Sequence, residues 1–198
     1  MDMIERLDRR QDQHWLSCEE FRHPSPLVTW DHSMAAFASG SVATDQPIVD
    51  ALADLTRTIH KDFRYDPVAT NVMTPPTASF AERAGVCQDF AHVQIALLRS
   101  LGIPARYVSG YLRTEPPPGK ERLVGADQSH AWLSVYTGQT HGWLDLDPTN
   151  GCIVGLDHVP IAIGRDYTDV APMKGVVLGG GKPAMRVEVD VERVDSTG

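Results

Sequence analysis

Cysteine is scarce in this 198-residue chain, with three residues at positions 18, 87 and 152. Three scattered thiols cannot build a disulfide framework, and they point to a reducing compartment. No apolar run approaches the roughly 18 residues of a membrane span. The opening MDMIERLDRR mixes both charge signs and lacks a secretory core with a small-residue cleavage site. Basic charge is in deficit, 18 Lys and Arg against 26 Asp and Glu, for a formal net charge of −8. That balance argues against non-specific attachment to nucleic acid or to an anionic membrane. There is no internal repeat and no His-Glu-x-x-His or Cys-x-x-Cys spacing, so no metal site is expected. Gly179-Gly180-Gly181 has no following Lys-Ser/Thr helix and reads as a turn, not a phosphate cradle. What remains, at 42% hydrophobic and 22% charged residues, is ordinary for one folded, cytoplasmic domain.

Residues 1–43 read as an irregular N-terminal segment with one short helix over Asp31–Ser39, capped by Asp31 or Ser33 and closed at Gly40. Residues 44–198 read as the main core. Ile48, Leu52, Leu55, Ile59 and Phe63 recur at helical intervals, with Thr44 or Asp45 as cap and Pro47 in the first turn. Asp66-Pro67 should end this helix, and a Pro- and Thr-rich loop runs on to Ser79. Thr77 or Ser79 could cap a brief turn through Ala81–Ala84. A second helix begins near Cys87, with Phe90, Val93, Leu97, Leu98 and Leu101 on one face and Gly102 and Pro104 beyond its end. The rest reads as sheet: Arg106–Leu112, His130–Tyr136, Trp143–Asp147, Val159–Ile163, Gly175–Leu178 and Met185–Val194. Helices first and adjacent strands afterwards indicate an α+β fold with an antiparallel sheet.

Cys87 follows Gly85-Val86 at the start of the second helix. Unpaired N–H groups and the positive end of the helix dipole favour a thiolate there, and the same groups could hold an oxyanion. Position alone is more often the mark of a packed small hydrophobe. His130 shifts that balance. It shares a strand face with Trp132, Ser134 and Tyr136, and the next strand places Trp143, Asp145 and Asp147 on one face. If the hairpin loop is Thr137–Thr140, position i faces position 277 − i, and His130 meets Asp147. A loop of Thr137-Gly138 would put Asp145 opposite His130 instead, but Thr-Gly is not a favoured two-residue turn. A thiol, an imidazole and a carboxylate would then supply a nucleophile, a base and the group that orients the base.

Four ordered blocks resemble the transglutaminase-like superfamily, and most closely its bacterial cysteine peptidase branch. They are Gly85-Val-Cys-Gln-Asp-Phe-Ala-His92, Leu101-Gly-Ile-Pro-Ala-Arg-Tyr-Val-Ser-Gly-Tyr111, Ser129-His-Ala-Trp132 and Trp143-Leu-Asp-Leu-Asp-Pro-Thr-Asn-Gly151. Gly164–Pro172 also resembles that branch, so the likeness covers roughly residues 44–175. It implies a papain-like α+β core in which the cysteine heads a helix packed on an antiparallel sheet bearing the histidine and the aspartate. Carried over by block, Cys87 matches the nucleophile, His130 the general base and Asp147 the orienting acid. Two departures stand out. Bacterial members usually carry a β-rich region before the core, for which this chain has little room, and Ser134 stands where Glu is frequent.

Other residues have bland readings beside the sharp ones. Gln88 is a candidate for the oxyanion site through its backbone N–H, and Trp132, Asp145 and Tyr167 are candidates for the cleft. A large aromatic such as Trp132 on a half-buried strand is more often core, and packing of the Arg165-Asp166-Tyr167 loop explains that stretch as well as substrate contact does. Cys18 and Cys152 read as packing residues, His92 as a core or helix-surface residue, and His14, His23, His32, His60, His141 and His158 fit no ligand spacing. The expected activity is acyl transfer through a thioester, with hydrolysis of a peptide or amide bond favoured by the resemblance. Transfer to an amine is the first alternative, and a non-catalytic peptide-binding module of the same fold the second. Acetyl transfer from coenzyme A shares the logic but has no cofactor motif here. No cofactor is implied, the expected partner is a peptide or protein substrate, and the oligomeric state is not encoded in any motif.

Overall fold

Helices come first and strands second along the chain, as the patterning predicts. The computed structural model describes residues 15–42, 46–114, 128–172, 188–192 and 194. The first half holds helices α1 (Trp15–Glu19), α2 (His32–Ser41), α3 (Ile48–Asp62) and α4 (Pro76–Glu82), with short strands β1 (Arg64–Tyr65) and β2 (Ala84–Gly85). Helix α5 (Cys87–Ser100) leads into strands β3 (Ala105–Leu112), β4 (Gln128–Tyr136), β5 (Trp143–Asp147), β6 (Cys152–Ile153) and β7 (His158–Gly164), and α6 (Tyr167–Val170) follows. β1 and β2 form a parallel pair, while the other five strands make one antiparallel sheet in the order β6-β5-β4-β3-β7. No helix among the described residues is long and apolar enough to cross a membrane.

The helix at the centre of the fold is α5. The sequence predicts one apolar face, but every residue from Gln88 to Arg99 is buried, because α2, α3, α4 and the sheet surround it. Its polar side chains therefore need internal partners. Gln94 donates to Thr56 Oγ1 at 2.8 Å, and Arg99 donates to the carbonyls of Ala105 and Arg165 at 2.8 and 2.7 Å. Leu52, Leu55 and Ile59 of α3 meet Phe90, Val93 and Leu97 of α5 in the main core. Val28, Met34 and Ala38, from before residue 44, join the same core. From the sheet side Ala131, Leu133, Val135 and Leu146 close it.

Local details differ from expectation for identifiable reasons. Asp31 caps α2 through Met34 N–H at 3.0 Å, but the helix runs past Gly40 to Ser41. The residue before α3 is Pro47, with no side-chain cap, and the expected caps Thr44 and Asp45 lie outside the described residues. The brief turn expected near Ala81 is a full helix from Pro76, since proline suits the first helical position, and Ser79 bonds to Asp89 instead of capping. Gly175–Leu178 and the Gly179–Gly181 turn lie outside the described residues; of Met185–Val194, residues 188–192 and 194 show a single bridge position, Val189, and no strand.

The β4–β5 register also differs from the expected one. Tyr136 faces Trp143 and Ser134 faces Asp145, a shift from the expected pairing of Tyr136 with His141 and of Trp132 with Asp145. The loop is four residues long as expected but closes one residue later, where Thr137 N–H bonds to Gly142 O at 2.8 Å. Gly138 (φ 93°) and Gly142 (φ 63°) supply the left-handed conformations that this closure requires. Moving the pairing by two positions preserves which face each side chain occupies, so His130, Trp132 and Asp147 remain on one side.

Candidate active site

Cys87 is the first residue of α5 and is partly buried, with Val86 before it in extended conformation. The helix start is fixed from within: Asp89 turns back to accept Val86 N–H at 2.8 Å. The same carboxylate accepts the hydroxyls of Thr70 (2.6 Å) and Ser79 (3.2 Å), and Gln88 Nε2 donates to Val72 O at 2.9 Å. These bonds anchor the loop after β1 to the front of α5. Register then places Tyr65, 54% exposed, beside Gly85 and hence near Cys87.

His130 Nε2 bonds to Asp147 Oδ2 at 2.7 Å, and Cys87 lies near enough to favour the protonated ring. With Nε2 engaged by Asp147, Nδ1 is the ring nitrogen left for sulfur. Asp147 has no exposed surface and collects donors on both oxygens. Oδ1 accepts the backbone N–H of Thr149 (2.9 Å) and of Asn150 (3.2 Å). Oδ2 accepts Asn150 Nδ2 at 2.6 Å and His158 Nε2 at 3.0 Å as well as His130. The turn carrying Asp147 and Asn150 is braced from α3, where His60 Nδ1 meets Thr149 O at 2.8 Å.

These contacts set the protonation states. Burial pushes the Asp147 carboxyl up, but the bonds from His130, His158 and Asn150 outweigh it and hold it well below the usual carboxylate range. Burial disfavours a charged His130, yet the bond to Asp147 and the nearby Asp147 and Cys87 charges prevail, raising it to about 9. Burial and the Asp147 charge push the Cys152 thiol up, and Cys18 is 2% exposed. Cys87 is the cysteine that acts on the charge of His130. The arrangement can take a proton from sulfur and keep the resulting imidazolium beside a fixed anion.

The cleft candidates divide. Trp132 is fully buried behind His130, with ring centroids 6.1 Å apart, and its Nε1 donates to Asp145 Oδ2 at 3.2 Å. Asp145 therefore holds Trp132 and does not meet His130. Gln88 uses its side chain on the loop. Tyr167 packs edge-on against Tyr107 and gives its N–H to His92 Nε2 at 3.2 Å, and reaches none of Cys87, His130 or Asp147 among the described contacts. Asp166 caps α6 and accepts Leu27 N–H at 2.8 Å, so this loop is packing.

Sequence reasoning passed over Asn150 and His158. Asn150 could have been found from its place three residues after Asp147 in a tight turn. His158 carries no such signal, because its spacing to the other groups fits no ligand pattern. His130, Asp147 and His158 offer one ligand atom each within 4.8 Å of one another, a donor set that could hold a metal ion. Here their contacts are hydrogen bonds to the shared carboxylate.

Known proteins resemble this chain in sequence and in fold. Residues 35–148 match the family described as the transglutaminase-like superfamily. An uncharacterised protein of Mycobacterium tuberculosis is 42% identical over 165 residues, 82% of this chain and 52% of that protein. A protein-glutamine gamma-glutamyltransferase of Pseudomonas aeruginosa is 34% identical over 122 residues, 52% of this chain and 18% of that protein. A crystal structure of a "putative cysteine protease" from Cytophaga hutchinsonii superposes with a TM-score of 0.66 at 31% identity, covering 86% of this chain and 55% of that one. The chain spans about half the length of the curated mycobacterial relatives it matches.

Proposed function

The chain belongs to the transglutaminase-like superfamily, with its papain-like α+β core, and from that premise we propose that it is an acyl-transfer enzyme using Cys87 as nucleophile, His130 as general base and Asp147 as the group that orients His130. Thiol-dependent acyl transfer is the chemistry this family and fold support in general. The observation that carries the finer reading is His130 bonded to the buried Asp147, with Cys87 near enough to raise the proton affinity of the ring.

In the proposed cycle, His130 Nδ1 takes the Sγ proton before attack, and the thiolate beside the imidazolium then attacks the carbonyl carbon of a peptide or amide bond. The N–H groups of Cys87 and Gln88, at the open end of α5, would face the oxygen that gains the charge. As the C–N bond breaks, His130 returns its proton to the leaving amine, and a thioester on Cys87 remains. Water attacks next, giving its proton to His130. The C–S bond breaks, the carboxylic acid leaves and the thiol is restored. An amine in place of water gives transfer instead of hydrolysis, and the resemblance to a protein-glutamine gamma-glutamyltransferase keeps this second reading open. Hydrolysis is favoured by the likeness over 86% of the chain to the Cytophaga protein.

The test is turnover of a peptide library, with and without a fluorescent primary amine, by wild type and Cys87→Ala. The proposal expects products from wild type only, as new carboxyl termini for hydrolysis or as amine adducts for transfer. Equal turnover by the variant would overturn it.

A further inference from the structure

We propose that His158 is a positioning residue: it locks the Asp147 carboxylate against His130, so that the exchange of a proton between Cys87 and His130 depends on a histidine brought in from β7. The inference rests on the function proposed above and adds a fourth side chain to it.

β7 does not adjoin β5; β4 and β3 lie between them. His158 Nε2 nevertheless reaches Asp147 Oδ2 at 3.0 Å. An irregularity in β7 makes this reach attainable. The ladder with β3 pairs Ser109 with Ala162 but Gly110 with Pro160, skipping Ile161. In a strand, alternate residues point to opposite faces, so one extra residue reverses the facing of everything beyond it. Without the bulge His158 would turn away from the face that carries His130. With it, His158 pairs with Leu112, two residues along β3 from Gly110, which itself pairs with His130.

The floor between the two histidines is cleared. A Cβ at Gly110 would collide with the Trp132 ring and with Val159 O. The bare backbone lets Trp132 lie across it and meet His158 edge-on, with centroids 5.2 Å apart and planes at 82°. The His158 side chain is 7% exposed, and its Nδ1 is buried with no hydrogen-bond partner. A buried polar atom left unpaired is a cost. The ring accepts that cost while presenting its one donor to Asp147, so the bond to Asp147 accounts for its placement.

The test is the rate at which iodoacetamide modifies Cys87 across the pH range, followed site by site in the full chain by peptide mass spectrometry. His158→Leu removes the donor. His158→Gln keeps an N–H near the reach of Nε2, and His158→Asn keeps an amide too short to reach Asp147. The Leu and Asn variants are expected to slow Cys87 alkylation at neutral pH by roughly ten- to a hundredfold, the worth of one hydrogen bond to a charged group, and to move the pH profile upward. The Gln variant should recover most of the rate. Should the Leu variant not fold, the Asn–Gln pair decides alone. Unchanged or faster alkylation in the variants, or equal slowing by Gln and Asn, overturns the inference and leaves the proposed function standing. A wild-type Cys87 no faster than Cys18 and Cys152 overturns both.

Discussion

Asp147 carries its charge with no exposed surface, and among the described residues its ion-pair partners are two histidines, not a lysine or an arginine. Uncharged and conditionally charged donors do the holding: two backbone N–H groups, one amide and two imidazoles. This is why the carboxyl stays ionised and why His130 gains a proton affinity that burial alone would deny it. His92 shows the contrast within one fold. It is 1% exposed, accepts the N–H of Tyr167, and burial aided by Arg99 outweighs the opposing Asp166 charge to push it down to about 4. Two buried imidazoles are thus driven in opposite directions by what faces them.

Elements deliver these groups to one place, and the bulged β7 ladder is the most informative case. Gly110→Ala is expected to destabilise the fold by about 1–3 kcal/mol, the usual cost of forcing atoms into a packed site, because the ring of Trp132 and a backbone carbonyl occupy the space. Urea denaturation would show this as a lower midpoint with an unchanged slope, and an unaltered midpoint would contradict the packing described. Cys87, His130 and Asp147 were legible in the sequence because each sits in regular structure whose period can be counted. Cys87 starts a helix of clear apolar spacing, and the other two lie on alternating strands. The exact hairpin register was not legible, since it depends on which glycines take positive φ, but a shift of two positions left the facing intact. His158 was not legible because a single skipped residue, Ile161, decides its face; the neighbouring Pro160 suits an edge strand as well as a bulge, so it does not by itself mark the skip. The all-round burial of α5 was likewise hidden: Asp89, His92, Gln94 and Arg99 mimic a wet face until their partners in other elements are known.

At the scale of the molecule, the buried histidines give stability a pH dependence of definite sign. His92 sits at about 4 when folded against an ordinary 6.5, so the unfolded chain binds the proton first as pH falls. Its stabilisation is complete above the ordinary value and drains away between there and about 4, by roughly 3 kcal/mol. His130, raised to about 9, does the reverse, contributing fully below 6.5 and losing that contribution as pH rises through about 9. Unfolding free energy should therefore peak near the ordinary histidine value. His92→Gln, which keeps an acceptor for Tyr167 N–H, should flatten the acid side; an unchanged acid slope would contradict the burial argument. NMR titration of the His130 ring reads most directly whether a proton is exchanged between sulfur and imidazole. In wild type the ring should remain protonated up to about pH 9, and Cys87→Ala should lower that midpoint. A His130 that titrates near its ordinary value and ignores the Cys87 substitution would contradict the account.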